Sequence, residues 1–158
     1  MSRLVRAGLL TAVTDGLFSS VLVVAAYDST VTRLWQGVAC VLLGPRAFEG
    51  GLRTTLVGIA MHVAVAFTWS AVFLVLVRRW SWLRRLVASP YGLVEAAALY
   101  GPFVWMVMSL AVIPLLVQRP PTVGFRWWVQ LVGHFPFVGI PIVAGIGLPR
   151  GEDERAGG

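Results

Sequence analysis

The chain has 158 residues, of which 58% are hydrophobic and 13% are charged, and its mean hydropathy is +0.80. A water-soluble domain is about 45–50% apolar, so this composition excludes a soluble globular protein and predicts that lipid surrounds most of the chain. The formal charge is +6, and arginine supplies all of the basic side chains. Because the arginines flank apolar runs, they favour an anionic lipid surface over nucleic acid as the partner.

Four apolar segments are long enough to cross a bilayer, and they cover about residues 7–27, 54–77, 91–117 and 125–148. A hydrocarbon core about 30 Å thick needs about 20 helical residues, and backbone in lipid must pair its polar groups within each segment. The sequence therefore predicts an all-α fold, a polytopic transmembrane four-helix bundle that forms a single domain over residues 1–148. Residues 149–158 are polar and glycine-rich, which predicts a disordered cytoplasmic tail.

A shorter apolar stretch, residues 31–43, follows the first span, and Gly44-Pro45 ends it. Thirteen residues are too few to cross a bilayer, so the stretch is an interfacial or a re-entrant helix, and we favour the interfacial interpretation. Arg33 and Gln36 are then expected to face water. The side chains expected to face lipid are Leu34, Trp35, Val38, Val41 and Leu42.

Arginine placement predicts the orientation, because cytoplasmic loops carry an excess of positive charge. With both termini in the cytoplasm, eight arginines lie inside and five outside. The loop between the second and third spans decides the matter, since residues 78–85 carry four arginines and no acid. Tryptophans at both ends of the spans resemble aromatic belts: Trp80, Trp82, Trp127 and Trp128. The pattern predicts a multi-pass protein of a bacterial inner membrane with cytoplasmic N- and C-termini.

Each span carries one acid or histidine, and the four are Asp15, His62, Glu95 and His134. Such groups are costly in lipid, so they are expected to face the bundle interior or a cavity; for Glu95, which lies near the inner edge, contact with water is the alternative. Small residues recur at helical spacing beside two of them, which predicts faces where neighbouring helices approach closely. These residues are Gly8, Ala12, Gly16 and Ser20 in the first span and Gly58, Ala66 and Ser70 in the second.

His62 and His134 lie at a similar depth, about 12–14 Å below the outer boundary at a rise of 1.5 Å per residue. Two histidines at one depth on two helices suit bis-His ligation of haem b within a bundle. A proton relay with Asp15 is a second interpretation. We favour a third, in which each imidazole bonds a backbone carbonyl or a hydroxyl and fixes helix packing. No cofactor is then predicted, and the sequence leaves open whether the two histidines face each other.

Two sequence runs combine glycine, proline and histidine. One is QGVA at residues 36–39, then LGPRAFEGG at residues 43–51, then Gly58 and His62; the other is Gly133-His134 followed by VGIPI at residues 138–142. With these runs, residues 5–147 resemble uncharacterised bacterial four-helix inner-membrane proteins of the YagU-like group. The resemblance implies a small inner-membrane protein and brings no chemistry with it.

The sequence carries no complete catalytic motif, since a nucleophile elbow, a His-Glu-x-x-His pair and a phosphate-binding glycine loop are all missing. The leading hypothesis is therefore a non-enzymatic accessory, assembly or packing subunit, whose expected partners are the bilayer and a homo-oligomer or larger membrane complex. One alternative is a small transporter or proton-coupled channel that uses Asp15. The other is a haem b protein that uses His62 and His134. A cavity beside Asp15 would favour the first alternative.

Overall fold

The computed structural model describes residues 1–147, and every regular element within them is helical. The helices in chain order are α1 (Arg3–Ala26), α2 (Val31–Leu43), α3 (Gly51–Arg79), α4 (Ser81–Leu86), α5 (Pro90–Val117) and α6 (Phe125–Gly147). A 3₁₀ turn, Pro45–Glu49, joins α2 to α3. The predicted all-α class is confirmed, while the predicted tail at residues 149–158 lies outside the described residues.

Four of these helices, α1, α3, α5 and α6, are long and apolar enough to span a membrane. They contain 24, 29, 28 and 23 residues, so each exceeds the length of about 20 residues that a hydrocarbon core requires. Large aliphatic side chains stay uncovered on their outer faces, as in Leu17, Val21, Leu99 and Leu115, each more than 60% exposed. A bilayer solvates such a surface, and the four helices match the four predicted spans to within a few residues.

The helix ends follow from local sequence. The hydroxyl groups of Ser2, Thr30 and Ser89 each accept a hydrogen bond from the backbone N–H three residues later, at 3.2, 3.2 and 3.1 Å. These three side chains thereby cap α1, α2 and α5. At the other end of α2, Gly44 adopts a φ of 68°, a left-handed conformation that glycine adopts without steric cost. The chain therefore reverses there and enters α3.

Close backbone contacts at glycines hold the spans together. A Cβ atom on Gly58 of α3 would overlap the carbonyl oxygen of Trp35 in α2, and one on Gly101 of α5 would overlap the carbonyl oxygen of His134 in α6. A Cβ atom on Gly8 of α1 would lie 2.8 Å from the ring of Phe67 in α3. The predicted small-residue faces of α1 and α3 are thus confirmed as helix interfaces, because small residues admit such close approach.

Two spans contain a widened, π-helical turn. In α5 it covers Met108–Val112, directly before the segment that contains Pro114, and in α6 it covers Phe135–Gly139 and includes Pro136. Proline has no backbone N–H and clashes with the preceding turn, so a regular α-helix cannot pass through it unchanged. Such turns occur frequently at functional sites, and the one in α6 begins directly after His134.

A proline also exposes an acceptor for an interhelical hydrogen bond. Pro141 cannot donate to the carbonyl four residues earlier, which belongs to Phe137. The hydroxyl of Thr14 in α1 lies 2.7 Å from this carbonyl and 2.8 Å from that of Leu10 in its own helix. We expect Thr14→Val to lower the free energy of unfolding in detergent by about 0.5–2 kcal/mol, the range of single interhelical hydrogen bonds in membranes.

Thr68→Val is the matched control for this substitution. The Thr68 hydroxyl donates to the carbonyl of Ala64 in its own helix at 2.8 Å and makes no interhelical hydrogen bond to any other residue that the structure describes. Its replacement should therefore change the free energy of unfolding by much less. Equal losses in the two variants would show that the hydroxyl at position 14 does not join α1 to α6.

The apolar core lies in the half of the bundle that contains the start of α1 and the end of α3. Phe73, Ile142, Val143 and Ile146 are at most 2% exposed there. Tyr100 of α5 packs 4.7 Å from the Phe73 ring, measured between centroids, and its hydroxyl donates to the carbonyl of Trp69 at 2.7 Å. The core borders a cavity, which Val104, Val138 and Ile142 line.

The faces predicted for α2 require a correction. Trp35 is 9% exposed and Gln36 is 4% exposed, so the indole does not face lipid and the amide does not face water. The Gln36 side chain instead donates to the carbonyl of Gly51 at 3.2 Å. The reason is tertiary packing, because α2 crosses the first turns of α3 at Gly58 and turns this face inward. Arg33 is exposed as predicted; the depth of α2 in the membrane stays a prediction.

Candidate functional site

A cavity of about 300 Å³ borders the apolar core, since Val104, Val138 and Ile142 belong to both, and α1, α2, α3, α5 and α6 all contribute to its wall. Most of the wall is apolar. The polar side chains that line it are Thr11, Asp15, Ser19, His62, Gln130 and His134. A cavity with apolar walls and a few convergent polar groups is the usual form of a small-ligand site.

Three of the four predicted ionisable residues meet at this cavity. Asp15, His62 and His134 come from α1, α3 and α6 and all line it. Glu95 does not, because it lies in the second turn of α5 with its side chain exposed. Of the two positions that the sequence allows for Glu95, the exposed one is found, because a residue near the end of a span can point away from the bundle. The two histidines share one cavity, which depth alone left undecided.

Asp15 and His62 form the ionisable pair of the cavity. The Asp15 carboxylate oxygen Oδ2 lies 3.8 Å from Nδ1 of His62, and the side chains are 14% and 16% exposed respectively. The neighbouring Gly16 makes this arrangement possible. A Cβ atom at Gly16 would lie 3.4 Å from the ring of Trp35 and 3.5 Å from Nε2 of His62. The small-residue face of α1 thus brings α2 and α3 close to the carboxylate.

Each imidazole is oriented by a backbone carbonyl. Nε2 of His62 lies 3.0 Å from the carbonyl oxygen of Ala12, and Nδ1 of His134 lies 2.7 Å from that of Gln130. A carbonyl oxygen only accepts, so the ring nitrogen that faces it carries the hydrogen. In the neutral rings, Nδ1 of His62 and Nε2 of His134 are therefore acceptors. The favoured packing interpretation predicted carbonyl partners of this kind.

Three buried polar atoms at the cavity have no hydrogen-bond partner within the described chain. They are Oγ1 of Thr11, Oδ1 of Asp15 and Oε1 of Gln130. A buried polar atom without a partner costs about 1–3 kcal/mol, and more than nine in ten such groups in folded proteins have one. Helix packing alone leaves these atoms unexplained, whereas a bound molecule that donates hydrogen bonds would satisfy them.

Three tryptophans form the aromatic wall of the cavity. Trp35, Trp69 and Trp105 line it from α2, α3 and α5. The ring centroid of Trp35 lies 5.1 Å from that of His62, and the ring centroid of Trp105 lies 4.8 Å from that of His134. Each imidazole therefore stands beside an indole.

The indole of Trp105 is fixed in place, because its Nε1 donates to the carbonyl of Trp127 in α6 at 3.1 Å. Trp127 in turn donates from Nε1 to the Ser109 hydroxyl at 2.8 Å. This network joins α5 to α6 beside the cavity. The Trp105 part of the aromatic wall is consequently held in one orientation by hydrogen bonds.

Sequence reasoning missed this aromatic wall. Trp35 was assigned to lipid, and neither Trp69 nor Trp105 was singled out. A signal existed for Trp69, since it follows His62 by seven residues and positions seven apart share a helix face. A signal existed for Trp105 as well, since Gly101 and Ser109 lie four residues before and after it and share its helix face.

The haem hypothesis requires both histidines at one site, and both do line the cavity. Among residues 1–147, no group of three or more His, Cys, Asp or Glu side chains is placed to hold a metal ion. Bis-His ligation of haem needs only two side chains, so the lack of a three-residue group does not decide it, and haem binding stays a hypothesis. A Soret band in the purified protein that disappears in His62→Ala and in His134→Ala would establish it.

Comparison with known proteins finds no matching family model, no matching curated protein and no matching solved structure. The resemblance to the YagU-like group therefore stays a prediction. The function of the cavity has to be argued from its own residues.

Proposed function

We propose that this chain is a non-enzymatic integral membrane protein that carries protons across the bilayer through Asp15, as a small transporter or proton-coupled channel. The observation that carries the proposal is the environment of the carboxylate. One oxygen lies 3.8 Å from an imidazole nitrogen, and the other is buried without a partner against a cavity of about 300 Å³. Carboxylates and imidazoles within spans are typical of proton relays.

The Asp15–His62 pair offers a low-cost way to hold a proton inside the membrane. A charged carboxylate in a span is costly unless a cation or hydrogen bonds compensate it. Here the carboxylate can be protonated itself, or it can stay charged beside a protonated His62. Both arrangements keep the pair neutral and differ by one proton transfer over a short distance. The cavity supplies the space through which protons reach the pair.

The packing or assembly hypothesis explains the two imidazole–carbonyl contacts but not the unpartnered acceptors at Thr11, Asp15 and Gln130. A side chain whose task is to fix helix packing is expected to have its polar atoms satisfied. Proton transfer therefore explains more of the polar groups at the cavity than helix packing does. An accessory or assembly role is the alternative that remains if proton movement is not observed.

Proton flux into liposomes tests the proposal. Purified protein is reconstituted into liposomes that contain a pH-sensitive dye, and a membrane potential is imposed. We expect acidification with the native chain and a fall to the rate of empty liposomes with Asp15→Asn, which keeps the size of the side chain and removes its charge. Glu95→Gln is the control, because Glu95 is an exposed acid outside the cavity. Equal rates for the native chain and Asp15→Asn would contradict the proposal.

The proposed setting is a bacterial inner membrane with both termini in the cytoplasm, as the arginine distribution predicts. Trp82 in α4 and Val123 between α5 and α6 are 56% and 53% exposed. In a Cys40→Ser background, Trp82→Cys should react with a membrane-impermeant thiol reagent only from the cytoplasmic side. Val123→Cys should react only from the opposite side. The reverse pattern would overturn the orientation.

Lipid is the first proposed partner, and a homo-oligomer or a larger membrane complex is the second. The reason is that a short four-span bundle buries little surface on its own. The particle mass of the detergent-solubilised protein measures this directly. A mass that corresponds to a single chain would contradict a stable homo-oligomer.

A further inference from the structure

We propose that the cavity also binds a small organic amine cation, which takes the place of the proton at Asp15. This inference rests on the proposed function, because proton and amine would compete for one carboxylate. The ligand class is a protonated amine with an apolar, preferably aromatic, body. Three independent features of the cavity lead to it: the hydrogen-bonding groups, the charges and the aromatic wall.

The hydrogen-bonding groups of the cavity need a donor. The carboxylate of Asp15 can only accept. The free ring nitrogens of neutral His62 and His134 are also acceptors, because a backbone carbonyl holds the hydrogen-bearing nitrogen of each ring. The orphaned oxygen of Gln130 adds a further acceptor, and the orphaned hydroxyl of Thr11 can accept as well as donate. A ligand with several N–H groups would satisfy such a set, whereas a carboxylate or phosphate ligand would be repelled.

The charges of the cavity favour a cation. Asp15 on α1 faces two titratable lining residues, His62 on α3 and His134 on α6, and no arginine among residues 1–147 lines the cavity. The lining residues of α2 and α5 include no titratable group. When both imidazoles are neutral, the carboxylate has no compensating charge, which is costly within a span. A bound ammonium group would supply that charge.

The aromatic wall selects an organic cation over a hydrated inorganic one. Trp35, Trp69 and Trp105 surround the cavity from three helices, and the face of an indole attracts a cation more strongly than any other side-chain ring. The volume of about 300 Å³ lies at the lower end of the range of about 300–1,000 Å³ for ligand sites. The cavity therefore suits an amine that carries a single ring.

Competition between amine and proton gives the site a measurable property. When the amine occupies the carboxylate, the proton shared by Asp15 and His62 has to leave. Amine binding should therefore release protons into the buffer, as linkage requires whenever two ligands exclude each other. In a membrane, such an exchange would couple amine movement in one direction to proton movement in the other.

Calorimetric titration of the full chain in nanodiscs of zwitterionic lipid tests the inference. The probes are phenethylamine, which is protonated at neutral pH, and 2-phenylethanol, its neutral counterpart of nearly equal size. We expect saturable binding of the amine, at least about tenfold tighter than that of the alcohol, a ratio equivalent to one pairing worth about 1.4 kcal/mol. The heat should depend on the ionisation enthalpy of the buffer, which reports proton release.

Two variants locate the site. Asp15→Asn should abolish both saturable amine binding and proton release. Trp69→Leu should weaken amine binding about tenfold, the loss expected for one desolvated cation–π contact. The Trp69 indole donates no hydrogen bond within the described chain, so this variant keeps the structural hydrogen bonds of the aromatic wall. The controls are Glu95→Gln and Trp128→Leu, an exposed acid and a 56% exposed indole outside the cavity.

The outcomes separate this inference from the proposed function. Equal binding of amine and alcohol, or amine binding unchanged by Asp15→Asn, would overturn the amine site. Proton flux that depends on Asp15 without any saturable amine binding would overturn it as well and leave the proposed function standing. If Asp15→Asn fails to fold, two comparisons still test the amine site. One is the affinity of the amine against that of the alcohol, and the other is amine binding in Trp69→Leu against amine binding in Trp128→Leu.

Discussion

Gly101→Ala is expected to lower the free energy of unfolding by about 3 kcal/mol or more, at the upper end of the cost of overpacking. A Cβ atom at position 101 would overlap the carbonyl oxygen of His134 and lie 2.9 Å from the backbone nitrogen of Gly139. Both obstacles are backbone atoms of α6, so no side-chain rotation relieves the clash. The two helices have to move apart, which opens the packed core behind them.

Gly37→Ala is the matched control for Gly101→Ala. Gly37 lies within α2, and a Cβ atom there would meet nothing within 4 Å. Alanine is favoured over glycine inside a helix by about 0.5–1 kcal/mol, so this variant should be as stable as the native chain or more so. Unfolding free energies measured in detergent by denaturant titration provide the comparison. A loss at Gly101 no larger than that at Gly37 would show that α5 and α6 do not pack through their backbones there.

Gly58→Ala is expected to displace α2 and to deform the cavity without changing any of its polar groups. A Cβ atom at position 58 would overlap the carbonyl oxygen of Trp35, whose indole lines the cavity beside His62. Overpacking costs about 1–3 kcal/mol, which corresponds to a roughly five- to 150-fold increase in the population of displaced α2. The rate of proton flux through Asp15 should change as the population of displaced α2 increases.

Cys40 is a built-in reporter of this displacement, because it lies in α2 and is the single cysteine of the chain. Its rate of reaction with a thiol reagent should rise roughly fivefold or more in Gly58→Ala, in line with the larger population of displaced helix. Ala60→Val is the control, since it adds atoms at an exposed position of α3, the helix that contains Gly58. An unchanged rate in Gly58→Ala would contradict tight packing between α2 and α3.

Features that depend on one helix at a time could be predicted. Length and hydropathy predicted the four spans to within a few residues, because a bilayer fixes the length of an apolar helix. The regular spacing of small residues predicted which faces of α1 and α3 pack, because such positions repeat along one side of a helix. Gly8 and Gly16 belong to this pattern in α1, and Gly58 belongs to it in α3. A rise of 1.5 Å per residue also predicts similar depths for His62 and His134, and both side chains line the same cavity.

Features that depend on the rotation and placement of a helix could not be predicted from periodicity. Trp35 was assigned to lipid, although it contributes to the cavity wall, because the apolar pattern of a short helix does not tell a bundle from a bilayer. Glu95 is exposed, because a residue near the end of a span can point away from the bundle. The error at Trp35 has another cause: lipid and protein interior are alike apolar, so an apolar residue carries little information about which of them it faces.

The sequence by itself determined the helical class, the four apolar spans and the presence of Asp15, His62 and His134 within them. The tertiary structure decided that these three side chains share one cavity and that Trp35, Trp69 and Trp105 surround it. It also decided which polar atoms are left without partners. The physical reason is that hydropathy and helical rise fix positions along each helix axis, whereas the contacts of a site depend on how separate helices rotate and approach, which glycine and proline positions control through backbone contacts.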